Sequence, residues 1–190
     1  YLSNAESTSI INNQMTSISG NAIEIDGMYG SLTSIMHNII NDCDTAIILR
    51  ADEMIAITDE VKIFWNEMSQ VETAFDIDLS VEGIEQDIFK AARFNQITDF
   101  TLGVVVNEGS EFDFTLNYWG TETLNFDLFT NVDPYYLKGQ YGDPAEMPTE
   151  ASYNPDLPII IEVTNPIVEI MIGESHTFEY QILPYELSDA

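Results

Sequence analysis

Apolar or small side chains recur every three or four residues along the first third of the chain, from residue 11 to residue 68. Steps of this size place side chains on one stripe of an α-helix, and so long a stripe approaches a heptad seam. We therefore expect residues 1–95 to form long amphipathic helices that pack as a bundle or a coiled-coil-like assembly. The seam residues expected to hold copies together are Ile47, Met54, Ile57, Val61, Phe64 and Met68.

The period of the apolar pattern changes from about 3.6 to 2 near residue 97. Three alternating segments follow, at residues 100–106, 112–118 and 124–128, with turn-forming residues between them. This pattern predicts an antiparallel β-meander over residues 97–130 with one face exposed to water. Residues 131–157 contain several prolines and tyrosines and predict an irregular loop.

Strand patterns return after residue 158, at residues 159–163, 167–172 and 177–183. A Gly173-Glu174-Ser175 turn leads into an alternating strand (Phe178, Tyr180, Ile182) that Pro184 ends. Over about the last 30 residues this pattern resembles the opening of a bacterial immunoglobulin-like domain of the group 2 type.

That resemblance implies a β-sandwich module of cell-surface or phage virion proteins, used as a spacer or adhesive element and without catalytic residues. Three arrangements stay open for residues 158–190: the start of a truncated domain, strands that complete a sandwich with the meander, or a sheet completed by a neighbouring subunit. The expected fold class is α+β, with helices first and an antiparallel β-sandwich-like part after them.

The chain carries 33 acidic against 5 basic residues, a formal charge of −28. Such a charge excludes nucleic acid and anionic membrane surfaces as partners, because both require basic residues. It is compatible with a salt-rich setting, with bound divalent cations, or with a strongly acidic solvated surface. No segment has the length and apolarity of a membrane span.

No catalytic motif is evident, so we expect no enzyme. Asp76, Asp78 and Asp87 have spacings similar to a calcium loop, but the sixth position is Val81 rather than glycine, which favours helix capping. Calcium is therefore the one cofactor that we consider. Cys43 is the only cysteine and is expected to be a small buried residue.

A second candidate site is rich in aromatic residues. Tyr135, Tyr136 and Tyr141, with Trp119 nearby, could stack on a sugar ring, although loop packing is the simpler interpretation. His37 and His176 are expected to be ordinary surface or half-buried residues, because nothing in the sequence pairs them as ligands.

These features predict a structural assembly protein of a virion (a fibre, head or tail component) or of an extracellular filament. We expect it to be a homo-oligomer that associates through its helices and contacts other structural proteins. The alternative is an adhesive surface module that binds glycan or calcium through its acidic and tyrosine-rich loops.

Overall fold

A computed structural model describes the chain at residues 1–3, 7–28, 32–51, 60–79, 90–107, 112–121, 124–132, 137, 139–150, 160–163 and 180–183. Within these ranges it contains thirteen β-strands, two short 3₁₀ turns and no α-helix. The chain divides into two compact units, Tyr1–Met147 and Pro148–Ala190.

The first unit is a parallel β-solenoid. One sheet has the strand order β1-β4-β6-β8-β10-β11, with β3 also beside β6, and a second sheet has the order β2-β5-β7-β9. All the strand pairs of both sheets are parallel, so each coil of the chain stacks on the coil before it. The strands are β1 (Leu2–Ser3), β2 (Thr8–Ile11), β3 (Gln14–Thr16), β4 (Ile23–Met28), β5 (Thr33–Met36), β6 (Ile39–Ala51), β7 (Val61–Phe64), β8 (Glu67–Asp78), β9 (Lys90–Arg93), β10 (Gln96–Val106) and β11 (Phe129–Thr130).

The predicted N-terminal helices are wrong: the described part of residues 1–95 is built from strands. The helix-like spacing arises at a bend in each long strand. In β6, Ile40 and Cys43 are buried while Asn41 and Asp42 between them face outwards, because Asp42 adopts a left-handed conformation (φ 60°) that interrupts the alternation. Inward residues are therefore three apart at each bend instead of two. The corresponding left-handed residues of the neighbouring coils are Ser17, Gln70 and Asp99.

The predicted antiparallel meander is also wrong. β10 runs parallel to β8, with Val104 beside Phe75, and β11 runs parallel to β10. The described residues of 112–118 make only isolated parallel bridges, including Asp113 to Ala91. Alternation of apolar and polar residues marks a half-buried strand but does not say which strand pairs with it. Here the partner lies one coil earlier in the sequence rather than at the next turn.

The solenoid interior is closely packed with aliphatic and aromatic side chains. Ile25, Ile47, Leu49 and Ile77 are fully buried, and each contributes about 1.5–3 kcal/mol through removal of apolar surface from water. Towards the C-terminal coils the interior becomes aromatic, with the Trp119 ring edge-on to Phe129 at a centroid distance of 4.9 Å. The filled interior explains why apolar residues are so frequent in an otherwise very acidic chain.

The described part of the second unit is one antiparallel pair, β12 (Ile160–Val163) and β13 (Tyr180–Leu183). Ile160 pairs with Leu183 and Val163 with Tyr180. Both strands lie within segments whose sequence predicts strands. The residues that connect them lie outside the described ranges, so the immunoglobulin-like resemblance stays a prediction.

Candidate functional site

A ladder of stacked asparagine side chains runs along the interior of the solenoid, at the corner between the two sheets. Successive members are separated by 25, 28, 29 and 22 residues, which are the lengths of the coils. All but the first are fully buried. The ladder consists of Asn13, Asn38, Asn66, Asn95 and Asn117.

From Asn38 onwards, each ladder asparagine uses both its side-chain oxygen and its side-chain nitrogen. The Asn66 Oδ1 atom accepts from the backbone N–H and the Nδ2 of Asn38, at 3.0 and 2.9 Å. The Asn66 Nδ2 donates to the Ile35 carbonyl one coil earlier and to Asn95 Oδ1 one coil later, both at 2.9 Å. Buried amide groups that are fully paired in this way fix the register of the coils, because any slip would leave several of them unpaired.

The residue before each ladder position has a left-handed backbone, with φ between 54° and 62°. This conformation is costly for residues with a Cβ, about 1–2 kcal/mol each, and the ladder hydrogen bonds offset it. Three of these residues stack their rings outside the main core: His37 on Trp65 and Trp65 on Phe94, each at 5.5 Å. The full set is Asn12, His37, Trp65, Phe94 and Leu116.

The backbone hydrogen bonds that accompany the ladder continue one coil further, beside a glutamine. From Asn38 onwards, the residue after each ladder asparagine donates its N–H to the backbone carbonyl of the preceding ladder residue. Tyr141 makes this same bond to the Asn117 carbonyl at 3.0 Å, so Gln140 stands at the chain position equivalent to a ladder asparagine. Gly139 (φ 72°) then occupies the left-handed position, where its missing side chain leaves room for Leu116.

The N-terminal end of the ladder differs from the rest. Asn13 is exposed, and its Nδ2 bonds to the Ile11 carbonyl of its own coil instead of a carbonyl one coil earlier. Among the described residues, no donor reaches Asn13 Oδ1. A cavity of about 510 Å³ lies at this end, lined by Tyr1, Leu2, Ser9, Ile10, Asn13, Gln14, Met15, Ala22, Ile23 and Glu24.

The described residues of the predicted helical assembly seam lie on β-strands, and their side chains are buried. Ile47 and Val61 are fully buried, and Phe64 and Met68 are 3% and 1% exposed. The helical seam is therefore wrong, because these four side chains lie on strands and are enclosed in the chain's own fold. Met54 and Ile57 lie outside the described residues.

The predicted aromatic site is not assembled as a surface cluster. Trp119 is 2% exposed and packs among core rings, including Phe75 and Phe129. Tyr141 is half-buried beside the ladder, and burial together with the nearby Glu146 raises the pKa of its hydroxyl. Tyr135 and Tyr136 lie outside the described residues.

Two of the predicted metal candidates have protein partners. Asp76 forms an ion pair with Arg50 at 2.6 Å, and Asp78 accepts a hydrogen bond from the Asn107 side chain. Asp87 lies outside the described residues. Across the part of the chain that the structure describes, no three histidine, cysteine or carboxylate side chains are grouped to hold a metal ion.

Two other residues singled out in the sequence have clear positions. Cys43 is buried on β6, and burial raises the pKa of its thiol. His37 is half-buried and stacks nearly parallel to Trp65, with 4° between the ring planes. His176 lies outside the described residues.

The hydrophobic pattern alone did not predict the ladder, although the sequence contains a recurring motif at the ladder positions. An apolar residue stands three positions before each asparagine and another stands two positions after it, as in Ile35-Met36-His37-Asn38-Ile39-Ile40. Repetition of this six-residue pattern at intervals of 20–30 residues is typical of solenoid repeats.

No helix of the described residues is long and apolar enough to cross a membrane. No protein-family model, curated protein or solved structure gives a significant match to the chain.

Proposed function

We propose that this chain is a structural component of an extracellular surface or of a virion, in which the solenoid serves as a stiff spacer. The observation that carries the proposal is the continuous amide ladder. It ties each coil to the next through side-chain and backbone bonds that lie in the interior, where water does not compete for them.

The outward side chains support a role at an exposed, strongly hydrated surface. Just after the bend in the long strands, Asp44 of β6 and Glu72 of β8 lie side by side, and both side chains are exposed. Two further exposed carboxylates, Asp42 and Asp99, flank them at the bend. Like charges placed together weaken a sheet slightly but keep the surface hydrated and resist non-specific association. The C-terminal resemblance to surface and virion modules points in the same direction.

We advance no adhesive function, because the aromatic residue expected to anchor a sugar, Trp119, is enclosed in the core. The proposed metal ligands Asp76 and Asp78 are engaged by Arg50 and Asn107. A spacer does not require the Trp119 ring or these two carboxylates to be accessible.

Localisation of the chain tests the proposal. Antibodies raised against the purified protein are applied to intact producing cells, to permeabilised cells and to purified particles, followed by immunogold electron microscopy. Label on intact cells or on particles is the expected result. Label that appears only after permeabilisation would contradict the surface and virion assignments together.

A mechanical measurement tests the spacer role separately. In single-molecule pulling, the solenoid is expected to resist extension until it unfolds cooperatively, and Asn66→Ala is expected to lower the unfolding force. Gradual extension of the wild-type protein without a resolved unfolding event would contradict a stiff spacer.

A further inference from the structure

A tight turn near the end of the first unit contains an aspartate directly before a proline. Asp143 precedes the 3₁₀ turn Pro144–Glu146, and its backbone is extended (φ −134°, ψ 131°). An extended conformation is the ordinary one for a residue before proline, so the turn is unstrained at this point. Asp143 is exposed, and water and protons therefore reach its carboxyl group.

Two hydrogen bonds hold the reactive groups of Asp143 in this turn. Its carboxyl oxygen Oδ1 accepts from the Ala145 backbone N–H at 2.8 Å, and its backbone carbonyl accepts from the Glu146 N–H at 3.0 Å. The first bond limits rotation of the side chain and keeps the carboxyl group beside the peptide group that joins Asp143 to Pro144. The second bond polarises the carbonyl of that same peptide group.

These positions favour attack of the carboxylate on its own peptide carbonyl. The attack closes a five-membered ring, and an intramolecular reaction avoids the entropy cost of bringing two molecules together. Negative charge then develops on the carbonyl oxygen, to which the Glu146 N–H already donates. The leaving group is the nitrogen of Pro144, which carries no hydrogen in the peptide and departs as a secondary amine once it takes a proton.

We propose that the peptide bond between Asp143 and Pro144 is a self-cleavage site that opens in mild acid. A bond forms between a carboxylate oxygen of Asp143 and its own carbonyl carbon, the C–N bond to Pro144 breaks, and the nitrogen takes a proton from the solvent. Water then hydrolyses the cyclic anhydride to two carboxyl groups, one on the side chain and one at the new C-terminus. The sum is hydrolysis of one peptide bond, with water as the co-reactant.

Cleavage at this position divides the chain close to the limit between its two units. The second unit begins at Pro148, so it stays whole on the fragment 144–190. The ladder asparagines all stay on the fragment 1–143. Acidification therefore cuts the covalent connection between the solenoid coils and the second unit without a protease. This inference goes beyond the spacer role and does not depend on it, so the two proposals fail separately.

The sequence contains a second aspartate before a proline, which serves as an internal control. Asp133 and Pro134 have the same chemistry and lie outside the described residues. The full chain is incubated between about pH 4 and about pH 5.5, at and above the ordinary aspartate pKa of about 3.9, where circular dichroism shows that it is folded. Intact-mass spectrometry measures the rate of cleavage at each bond, and the same rates are measured in guanidinium chloride.

In the folded protein, we expect cleavage after Asp143 to be about tenfold faster than cleavage after Asp133, a smaller effect than that of an oxyanion donor in an enclosed active site. In guanidinium chloride the two rates should be similar, because the turn and its hydrogen bonds are lost. Failure of the folded protein to give the fragment 144–190 would overturn the proposal. A ratio of the two rates that denaturation leaves unchanged would overturn it as well.

Three variants test the roles of the individual groups. Asp143→Asn keeps an acceptor for the Ala145 N–H but lacks the carboxylate, so cleavage at this bond should be lost while cleavage after Asp133 continues. Glu146→Pro removes the N–H that donates to the Asp143 carbonyl, and Glu146→Gln is its matched control because it loses the same charge and keeps the N–H. Only the proline variant should react more slowly than the wild type. Equal rates in the two Glu146 variants, or undiminished cleavage in Asp143→Asn, would contradict the mechanism.

Discussion

At the scale of the residue, the ladder asparagines do what apolar core residues cannot do. Each one satisfies backbone groups at a corner where the chain leaves one sheet and enters the next, and where no strand partner is available. A substitution at a ladder asparagine should therefore affect stability both through the size of the side chain and through its hydrogen bonds.

The central ladder position gives a sharp prediction. Asn66→Ala removes the acceptor of the buried Asn38 backbone N–H and the donor to the Ile35 carbonyl. It also removes one of the two hydrogen bonds of Asn38 Nδ2, whose bond to the Ile10 carbonyl remains. At about 1–3 kcal/mol for each unsatisfied group, the free energy of unfolding should fall by about 3 kcal/mol or more. Urea denaturation followed by circular dichroism measures this change.

A surface asparagine provides the control for that variant. Asn21 is exposed and bonds only to Glu24 among the described contacts, so Asn21→Ala should change the unfolding free energy by no more than about 0.5 kcal/mol. Equal losses in the two variants would show that the ladder has no special role.

Cys43 gives a prediction that depends on pH. Burial raises the pKa of the thiol in the folded protein, so the folded state holds its proton more tightly than the unfolded state does. The associated stability is complete below the ordinary thiol pKa of about 8.5 and is lost as the pH rises above it. The difference in unfolding free energy between wild type and Cys43→Ala should therefore shrink from neutral to alkaline pH.

Thiol labelling checks the same point independently. In the native protein Cys43 should react with a disulfide reagent much more slowly than in denaturant, because the thiolate is rare and enclosed. Equal rates, together with a pH-independent stability difference, would contradict the burial of this side chain.

At the scale of the element, the sequence predicts where many strands are but not how they pair. The alternation at residues 100–106 lies within β10, and the C-terminal strand patterns contain β12 and β13. The parallel pairing was not predictable from alternation, since partners lie a full coil apart. Only the recurrence of asparagine at coil-length intervals carries that information.

The false helices have a specific physical origin. A solenoid strand that bends at a left-handed residue buries side chains three apart, as at Met68 and Val71 around Gln70. A window of such residues has the spacing of an amphipathic helix. The low helix propensity of the Ser-, Thr- and Asn-rich first segment points against a helix, and β-branched isoleucines are frequent in it.

The close approach of β10 and β11 provides a prediction about strand packing. Gly103 stands in register with Ala74 of the neighbouring coil, but a Cβ at Gly103 would lie 2.7 Å from the Phe129 ring. Gly103→Ala should therefore destabilise the protein by about 1–3 kcal/mol through overpacking. Thermal and urea unfolding of the variant measure the loss.

A double-mutant cycle isolates the cause of that loss. In a Phe129→Ala background the added methyl group has room, so Gly103→Ala should cost much less there than in the wild type. Additive effects of the two substitutions would mean that the two residues do not touch, and β11 would then have to pair differently.

At the scale of the whole molecule, the charge of −28 acts against compactness. Five basic residues cannot neutralise 33 acids, and the stacked coils bring exposed carboxylates of neighbouring strands close together, as with Asp44 and Glu72. Raising the salt concentration from about 10 mM to about 1 M shortens the Debye length from about 30 to about 3 Å. The melting temperature should therefore rise by several degrees.

A comparison of different salts distinguishes electrostatic screening of the carboxylates from specific binding of a cation. If screening alone acts, calcium and sodium chlorides of equal ionic strength should stabilise the protein to a similar extent, and Asp44→Asn should stabilise it at low salt but hardly at high salt. A saturable rise in melting temperature with micromolar calcium would instead reveal a cation site. Since Asp76 and Asp78 already have protein partners, such a site would have to use other carboxylates, and the screening result is the one that we expect.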